Sequence, residues 1–278
     1  MKRRYGWSPD LKDHRDLVYR PRVTKIPASV DLRPGCPAVY DQGQLGSCTG
    51  NAIAGAIEYD LIREAHDMVP SRLFIYFSER DEEGTVQSDA GASIRDGIKA
   101  VASLGVPPES EWPYSDANPG PFQTRPPVAV YADALKYRVT AYESVPITVP
   151  ARLACLGLKK SVVPLQQCLA SGTPVVFGMT VYESFEGQQV AKTGVVPMPG
   201  KDEAVLGGHA LAIVGYDAAK DWFIVRNSWG PDWGDHGYCY VPFSYILKYA
   251  SDFWTIKTVM TPVDRQGYCD DHQNRQTS

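Results

Sequence analysis

No apolar run in this chain of 278 residues approaches the ~18 residues that a membrane-spanning helix needs. The N-terminus is basic, and charged residues continue where a secretory signal peptide requires its apolar stretch. Internal repeats and low-complexity stretches are also missing. We therefore expect a protein without membrane contact that resides in the cytoplasm by default, and export by a route that leaves no such mark stays open.

An excess of positive charge is absent as well, since 28 Lys and Arg stand against 32 Asp and Glu and give a net charge of −4. This balance argues against a nucleic-acid partner. Neither Cys-x-x-Cys nor His-x-x-x-His spacing occurs. We therefore predict no zinc site and no other cofactor.

Cysteine is present, but the six cysteines do not predict a disulfide framework. A chain of this length with 44% hydrophobic residues can fill its core without crosslinks. Cys168 shares an apolar helix face and Cys239 lies within a strand, so both are expected to be buried thiols. The sequence leaves any pairing among Cys36, Cys155 and Cys269 open.

Three short segments together contain the side chains that thiol-based acyl transfer needs: Asp41–Cys48, Gly207–Ala210 and Arg226–Gly230. A thiol attacks a carbonyl carbon well only as a thiolate, so a nucleophilic Cys48 requires a nearby base and a positive environment. His209 can take the thiol proton, and Asn227 can accept from the other ring nitrogen and hold the imidazole in place. Gln42, six residues before the thiol (48 − 42), offers an amide N–H to the oxyanion that develops on attack.

Local patterns around these segments support the same roles. The apolar residues after the thiol recur every four positions: Ile53, Ile57 and Leu61. This spacing predicts a helix over 48–64, which puts Cys48 at a helix N-terminus, where the dipole favours a thiolate. His209 precedes a buried strand and Asn227 follows its hairpin partner, so we expect the two side chains to be cross-strand neighbours.

The segments resemble the papain-like cysteine peptidases. That family has Gln-Gly-x-x-Gly-Ser-Cys at its nucleophile, here Gln42–Cys48, and a Gly-His-Ala segment before a strand ending Val-Gly-Tyr, here Gly208–Tyr216. Its Asn-Ser-Trp-Gly signature is present as Asn227–Gly230, and the similarity covers roughly residues 26–260. Within the family, the bacterial branch that includes xylellain is most similar through two segments: Tyr5-Gly6-Trp7 and Ser251-Asp252-Phe253-Trp254.

The resemblance implies an α+β, papain-like two-lobe fold. A helical lobe and an antiparallel β-barrel lobe are expected, with the active-site cleft between them. We divide the chain accordingly: a basic N-terminal arm (1–25), the mainly helical lobe with the nucleophile (26–128), the β-barrel lobe with His and Asn (129–263) and a C-terminal tail (264–278). Further predicted elements are helices over Ser71–Glu79, after the N-cap Ser93 with Asp96, and from Pro164 to Gly172, and strands over Val175–Val181, Trp222–Val225 and Tyr238–Val241.

Two positions depart from the family pattern near the nucleophile. Leu45 stands where the family usually has a cysteine whose disulfide braces the loop, so the brace must come from packing. Thr49 stands where the family usually has Trp. Neither position takes part in the chemistry, so activity is still expected.

The resemblance also suggests groove residues. Gly91 and Ala92 fall where the family's Gly-Gly segment pairs with an extended peptide, and a backbone with small side chains permits such pairing. Trp229 is expected to shield the hydrogen bond between His209 and Asn227 from water.

The resemblance also implies a pocket next to this pairing segment, and that pocket accepts the side chain of the substrate residue before the scissile one. Gly207 and Gly208 would widen it, and Ala250 and Asp252 are candidates for its floor. If Asp252 points inward, we expect a basic side chain to be accepted; otherwise the pocket should prefer apolar side chains.

The first 25 residues differ in charge from the rest of the chain. They carry eight Lys and Arg and three Asp, a net charge of +5, so the remainder carries −9 (−4 − 5). A basic arm can dock on an acidic body electrostatically, and salt should then weaken the docking. Two interpretations stay open: a reduced prosegment that covers the groove, and an ordered extension that only stabilises one lobe.

We interpret the chain as a cysteine endopeptidase that forms an acyl-enzyme through the Cys48 thiolate. His209 is the general base and acid, Asn227 orients it, and Gln42 with the Cys48 N–H forms the oxyanion hole. Two alternatives stay open: a thiol acyltransferase or transglutaminase-like enzyme, and a catalytically silent peptide-binding protein on the same fold. We expect a monomer whose partners are peptide or protein substrates and protein inhibitors of papain-like enzymes.

Overall fold

The computed structural model of the chain describes residues 3–21, 23, 25–148 and 160–260. The predicted tail (264–278), Cys155 and Cys269 lie outside the described residues. Cys168 and Cys239 are buried free thiols, as predicted, and Cys36 is a partly exposed free thiol. Within the described ranges, no helix is long and apolar enough to cross a membrane.

Seven α-helices and seven β-strands are assigned in these ranges. The helices are α1 Cys48–Arg63, α2 Arg72–Glu82, α3 Ile94–Leu104, α4 Val128–Ala134, α5 Val163–Ala170, α6 Gln188–Thr193 and α7 Phe243–Tyr249. The strands are β1 Ser29–Asp31, β2 Tyr137–Ser144, β3 Val175–Tyr182, β4 Val205–Asp217, β5 Trp222–Arg226, β6 Tyr238–Pro242 and β7 Ala250–Met260. Short 3-10 turns lie at Arg33–Gly35, Pro121–Gln123 and Glu183–Glu186.

Side-chain caps explain where α2 and α3 begin. Ser71 accepts the Phe74 N–H at 3.2 Å and starts α2. Ser93 accepts the Asp96 N–H at 3.3 Å and donates its hydroxyl to the Asp96 carboxylate at 2.9 Å, which confirms the predicted cap of α3. That helix ends before Gly105, whose φ of 77° suits glycine.

The strands form one antiparallel sheet in the order β2-β7-β3-β4-β5-β6, with β1 against the end of β4. The predicted α+β class is confirmed, but the predicted β-barrel is wrong because the sheet is not closed. Closure needs β2 to pair with β6. Instead, Val18 bridges Ser144 of β2 and Val195 bridges Tyr240 of β6. These short segments cover the two edge strands of the sheet, β2 and β6, without joining them.

Alternate side chains of the sheet fill two cores on its opposite faces. In β3, Val175, Phe177 and Met179 belong to one core together with α5 and α7, whereas Val176 belongs to the other with α1 and α3. The second core also contains Cys48. The nucleophile helix is therefore held against the sheet by the same packing that closes this core.

Candidate active site

Helix α1 and strand β4 bring Cys48 and His209 together. Cys48 is the first residue of α1, so its thiol lies at a helix N-terminus, where backbone N–H groups carry partial positive charge. His209 lies in β4, and the N–H of the next residue, Ala210, lowers the pKa of the Cys48 thiol. The packing of α1 against β4 thus places the predicted nucleophile beside the residue that directly follows the predicted base.

His209 is held by a single ring nitrogen. Its Nε2 lies 2.8 Å from Oδ1 of Asn227, which directly follows β5. The imidazole also stacks on Trp229, with ring centroids 5.1 Å apart and planes inclined by 25°. The other nitrogen, Nδ1, has no hydrogen-bond partner within the described part of the chain. Because Nε2 is committed to Asn227, Nδ1 is the atom left to exchange a proton with a thiol.

Gln42 is oriented by a contact that the sequence reasoning missed. The Ser228 hydroxyl donates to Gln42 Oε1 at 2.7 Å, so the amide nitrogen Nε2 is turned the other way. Nε2 donates to the Leu45 carbonyl at 2.9 Å and lies 3.4 Å from the Arg4 carbonyl. The position of Ser228 beside Asn227 in the signature segment was the available signal.

The pattern of the papain family cysteine proteases matches residues 26–244, which is more than half of the chain. The chain belongs to the papain family. It is a cysteine protease, hence a hydrolase, and the predicted family is confirmed.

Individual relatives of this protease agree with that assignment. An uncharacterized peptidase C1-like protein of Acanthamoeba polyphaga mimivirus is 36% identical over 286 aligned residues, covering 95% of this chain and 89% of that protein. The crystal structure of xylellain, a cysteine protease from Xylella fastidiosa, matches with a TM-score of 0.83 and 41% identity, covering 93% of this chain and 99% of that one. Chymopapain from Carica papaya is 27% identical over 237 residues, covering 81% of this chain and 57% of its own length.

The groove of the protease is occupied by residues 3–8 of its own arm, which we call the groove segment. The Ala92 N–H donates to the Gly6 carbonyl at 2.7 Å, and the Ser8 N–H donates to the Ala92 carbonyl at 3.1 Å. This pairing forms a parallel bridge between Trp7 and Ala92. The groove position expected to bind an extended peptide therefore pairs with an extended stretch of the chain itself.

Glycines allow the groove segment to approach closely. A Cβ at Gly91, whose φ is 75°, would lie 2.0 Å from the backbone of the groove segment. Gly208 accepts the Trp7 N–H at 3.0 Å, and a Cβ there would lie 2.4 Å from the Trp7 carbonyl oxygen. Gly207 faces Tyr5 instead, and a Cβ added at Gly207 would lie 2.7 Å from the Cβ of Tyr5. All three glycines thus border the groove segment.

The Trp7 side chain fills a pocket in the groove. A Cβ at Gly178 of β3 would lie 1.9 Å from the indole ring, and one at Gly208 would lie 2.7 Å from it. Asp252 borders the pocket: burial raises the pKa of its carboxyl, whereas the Asp10 N–H, which donates to it at 2.8 Å, and the Ser251 side chain lower it. The pocket therefore combines two bare backbone walls with one carboxylate.

Sequence reasoning missed Gly178 and did not anticipate the place of Ala250. A glycine inside the apolar run of β3 was the available signal, because such a residue often marks a close approach of another chain segment. Ala250 is 6% exposed and belongs to the core that contains Met179 and Phe253, not to the core that contains Trp7.

The start of the groove segment covers the base. The Tyr5 ring meets the His209 imidazole edge-on at 5.8 Å between centroids, and the Tyr5 hydroxyl donates to Glu186. The Arg3 guanidinium lies 4.8 Å from the centre of the Trp229 ring. The imidazole, which stacks on Trp229 and is fully buried, is therefore closed off from water.

Burial controls the charge state of the two reactive groups in this arrangement. Cys48 and His209 are both fully buried. Burial lowers the pKa of His209 to about 4, although the Asn227 hydrogen bond raises it. Burial raises the pKa of Cys48 to about 11, although the N–H groups of Ala210 and Gly6 lower it. With the groove segment in place, these pKa values make Cys48 a neutral thiol and His209 a neutral imidazole at neutral pH.

Proposed function

We propose that Cys48 is the nucleophile and His209 the general base and acid of peptide hydrolysis. His209 Nδ1 takes the thiol proton, and the thiolate attacks the scissile carbonyl carbon while Gln42 Nε2 and the Cys48 N–H donate to the oxyanion. Collapse expels the amine, which takes the proton from His209 and leaves an acyl-enzyme. A water molecule that gives its proton to His209 then attacks the acyl carbon, and the carboxylic acid and the thiol are released.

The hydrogen bond of 2.8 Å between His209 Nε2 and Asn227 Oδ1 carries this assignment. It leaves Nδ1, which has no hydrogen-bond partner among the described residues, as the reactive nitrogen, and the N–H of the next residue, Ala210, lowers the pKa of the Cys48 thiol. A catalytic base requires both a second group that holds the ring and a free nitrogen toward the nucleophile. The assigned roles of Asn227 and His209 meet these two requirements.

We further propose that the groove segment inhibits the enzyme. It occupies the pairing position at Ala92 and the pocket beside Gly208, so a substrate cannot enter until it leaves. It also dehydrates Cys48 and His209 and thereby disfavours the thiolate and imidazolium forms. Inhibition thus acts on both substrate binding and nucleophile activation.

The pocket that holds the Trp7 indole indicates a preference of this protease for large aromatic side chains. Gly178 and Gly208 supply backbone walls that leave room for two fused rings. Asp252 adds a carboxylate that accepts the Asp10 N–H at 2.8 Å. We infer that a substrate with Trp or Phe in this pocket binds better than one with a small apolar side chain.

Substitution of the thiol tests the mechanism. Cys48→Ala should abolish release of a fluorogenic peptide product and labelling by an epoxysuccinyl inhibitor, whereas the matched variant Cys36→Ala should keep both. Gln42→Ala should lower kcat by roughly 10²–10³ while labelling continues, as expected for the loss of one oxyanion donor. Full activity of Cys48→Ala would refute the mechanism.

The same assays separate the alternative functions. Labelling of Cys48 without peptide release, restored when an amine acceptor is added, would indicate an acyltransferase. Peptide binding with neither labelling nor release would indicate a silent binding protein.

We also propose that the protease acts as a monomer on peptides or unfolded proteins, without nucleic-acid or membrane partners, and resides in the cytoplasm. Protein inhibitors of papain-like enzymes are proposed to bind the cleft, since an extended segment fits it once the arm is displaced. Light scattering of the purified chain and fractionation of expressing cells test the oligomeric state and the compartment.

A further inference from the structure

The loop over residues 42–48, which we call the nucleophile loop, lacks a covalent brace. Leu45 occupies the position of the expected half-cystine and is fully buried in a cluster with Leu73, Tyr76 and Phe122. This packing holds the middle of the loop. Its two ends carry the two oxyanion donors, the Gln42 side chain and the Cys48 N–H, and apolar packing at Leu45 does not fix their separation.

A tyrosine hydroxyl joins the two ends of the nucleophile loop. The Tyr114 oxygen lies 2.8 Å from the Gln42 carbonyl oxygen and 2.5 Å from the Ser47 hydroxyl. A carbonyl cannot donate, so the single Tyr114 proton must go to Gln42, and Ser47 must donate to Tyr114. Ser47 Oγ in turn accepts from Asn51 Nδ2 at 3.1 Å. The direction of every proton in this chain of hydrogen bonds is therefore determined.

Tyr114 itself is held rigidly. The Arg72 guanidinium lies 4.2 Å from the centre of its ring, and the Tyr114 N–H donates to Glu109 at 3.2 Å. Arg72 and Glu109 form an ion pair of 2.6 Å whose two side chains are 14% and 20% exposed. Burial raises the pKa of Tyr114 far above its ordinary value, although the hydrogen bond with Ser47 lowers it. The hydroxyl therefore keeps its proton throughout the working pH range.

We propose that Tyr114 is a positioning residue that sets the separation of the two oxyanion donors. It links the Gln42 backbone to Ser47, the residue directly before Cys48, and so replaces the missing covalent brace with two hydrogen bonds. This inference rests on the proposed roles of Gln42 and Cys48. Donors that are displaced by a fraction of an ångström stabilise a tetrahedral oxyanion less, while binding of the substrate elsewhere in the groove is unchanged.

The variant Tyr114→Phe, in the full-length chain, tests this role with two reagents. A peptide aldehyde adds to the thiol and forms a tetrahedral hemithioacetal, whose oxygen needs both donors. Iodoacetamide forms a bond from the thiolate sulfur to a CH₂ carbon with loss of iodide, and needs no oxyanion donor. Tyr114→Phe should raise the aldehyde inhibition constant about 10-fold and change the alkylation rate less than about 2-fold. The ratio of the two effects is independent of how firmly the groove segment docks, because both reagents require its departure.

The matched control is Tyr216→Phe, which removes a phenol hydrogen bond of 2.7 Å to the Pro27 carbonyl far from the nucleophile loop. Its aldehyde-to-alkylation ratio should equal that of the wild type even if its Tm falls as much as that of Tyr114→Phe. If Tyr114→Phe weakens aldehyde inhibition and slows alkylation by the same factor, then Tyr114 has a purely structural role.

A second variant keeps the test decisive if Tyr114→Phe does not fold. Ser47→Ala leaves the bond between Tyr114 and Gln42 but disconnects Cys48 from it, and should shift the same ratio in the same direction. An unshifted ratio there overturns the proposal. Failure of the proposed function is distinguishable, because the wild-type chain would then show neither aldehyde inhibition nor alkylation of Cys48.

Discussion

The groove segment (3–8) and the following stretch of the arm (10–19, here the anchor segment) contact the protease by different means. The groove segment is held by backbone pairing with Ala92 and Gly208 and by the buried indole of Trp7, which is 9% exposed. The anchor segment is held by its carboxylates and, at Leu17 and Tyr19, by backbone pairing with Ser144 at the edge of the sheet, away from the groove. We propose from this difference that the first stretch blocks the groove and that the second attaches the arm.

Asp10 and Asp16 make the main side-chain contacts of the anchor segment. The Arg95 N–H donates to Asp10 at 3.1 Å, and the Trp254 indole N–H donates to it at 2.8 Å. Asp16 pairs with the Arg95 guanidinium at 2.7 Å. The arm carries a net positive charge, but its acidic residues make its most buried polar contacts. Net charge therefore says little about how this arm docks.

The largest effect should come from removing the groove segment alone. Deleting residues 1–9 keeps the anchor segment and should raise kcat/KM for a short peptide at least about 100-fold. Burying an indole of ~150 Å² at ~25 cal/mol/Å² favours docking by about 4 kcal/mol before ordering costs, and each factor of ten corresponds to about 1.4 kcal/mol. The rate of alkylation of Cys48 should rise in parallel.

If the chain without residues 1–9 shows unchanged kinetics and only a lower Tm, then the groove segment is a structural extension and does not inhibit the enzyme. The Cys48→Ala version of the shortened chain is the control, and it should remain inactive. This comparison decides between the two interpretations of the arm that the sequence leaves open.

Gly178→Val should give the next largest effect, and it should act differently on two substrates. The new side chain would take the space of the indole, so the full-length chain should cleave a peptide with Ala in the pocket about 10-fold faster because Trp7 is expelled. In the same variant, the rate of cleavage of a peptide with Trp in the pocket should fall by a similar factor relative to that of the Ala peptide. In the chain lacking residues 1–9, the gain should vanish and the loss should stay. A retained preference for Trp would show that Gly178 does not define the pocket.

The reactive cluster could be located from the sequence because its parts lie in short segments. Gln42 and Cys48 are six residues apart, and the loop and helix that contain them are local structures. His209 and Asn227 lie on adjacent strands of a hairpin, whose pairing the intervening turn largely determines. Local signals of this kind do not depend on how distant elements pack.

Three features could not be predicted in the same way: the open sheet, the Trp7 pocket and the contacts of the anchor segment. Each depends on contacts between residues that lie far apart in the sequence. Trp7 meets Gly178 across 171 positions (178 − 7), and Asp10 meets Trp254 across 244. Counting charges over the arm favours docking through its basic residues, because composition does not show which side chains face the body. Closure of the sheet likewise depends on which segments cover β2 and β6.

Asp10→Asn should give a smaller, pH-dependent effect. Burial and the Asp252 carboxylate raise the pKa of docked Asp10 to about 6 from the ordinary 3.8, although the Arg95 and Trp254 N–H groups lower it. Since the docked pKa is the higher one, docking takes up a proton: it is strongest below pH 4 and weakens until the pH passes about 6. The contribution of Asp10 to inhibition should therefore relax as the pH rises, by at most about 3 kcal/mol for a shift of this size.

The measurement is the ratio of kcat/KM between the full-length chain and the chain lacking residues 1–9. Because docking also lowers the pKa of His209, the wild-type ratio is divided by the Asp10→Asn ratio at each pH, which isolates the contribution of Asp10. This quotient should rise between pH 4 and 6, and Asp10→Asn should inhibit itself several-fold more at pH 7. Asp13→Asn, whose carboxylate pairs with exposed Arg15 and lies 3.9 Å from Lys99, should follow the wild type. A quotient that falls with rising pH would contradict the assigned direction.

Salt should have the smallest effect on the same ratio. The pair between Arg4 and Asp89 spans 3.4 Å with the Arg4 side chain 55% exposed, and exposed pairs contribute only about 0–1 kcal/mol. The pair between Arg95 and Asp16 is largely buried, at 10% and 13% side-chain exposure, so it is screened less. Burial of the Trp7 indole is not weakened by screening at all. The ratio should therefore change less than about 3-fold between 0.05 and 1 M NaCl, where the screening length falls to about 3 Å. A tenfold change would mean that the basic charge of the arm, and not its indole and carboxylates, holds it in the groove.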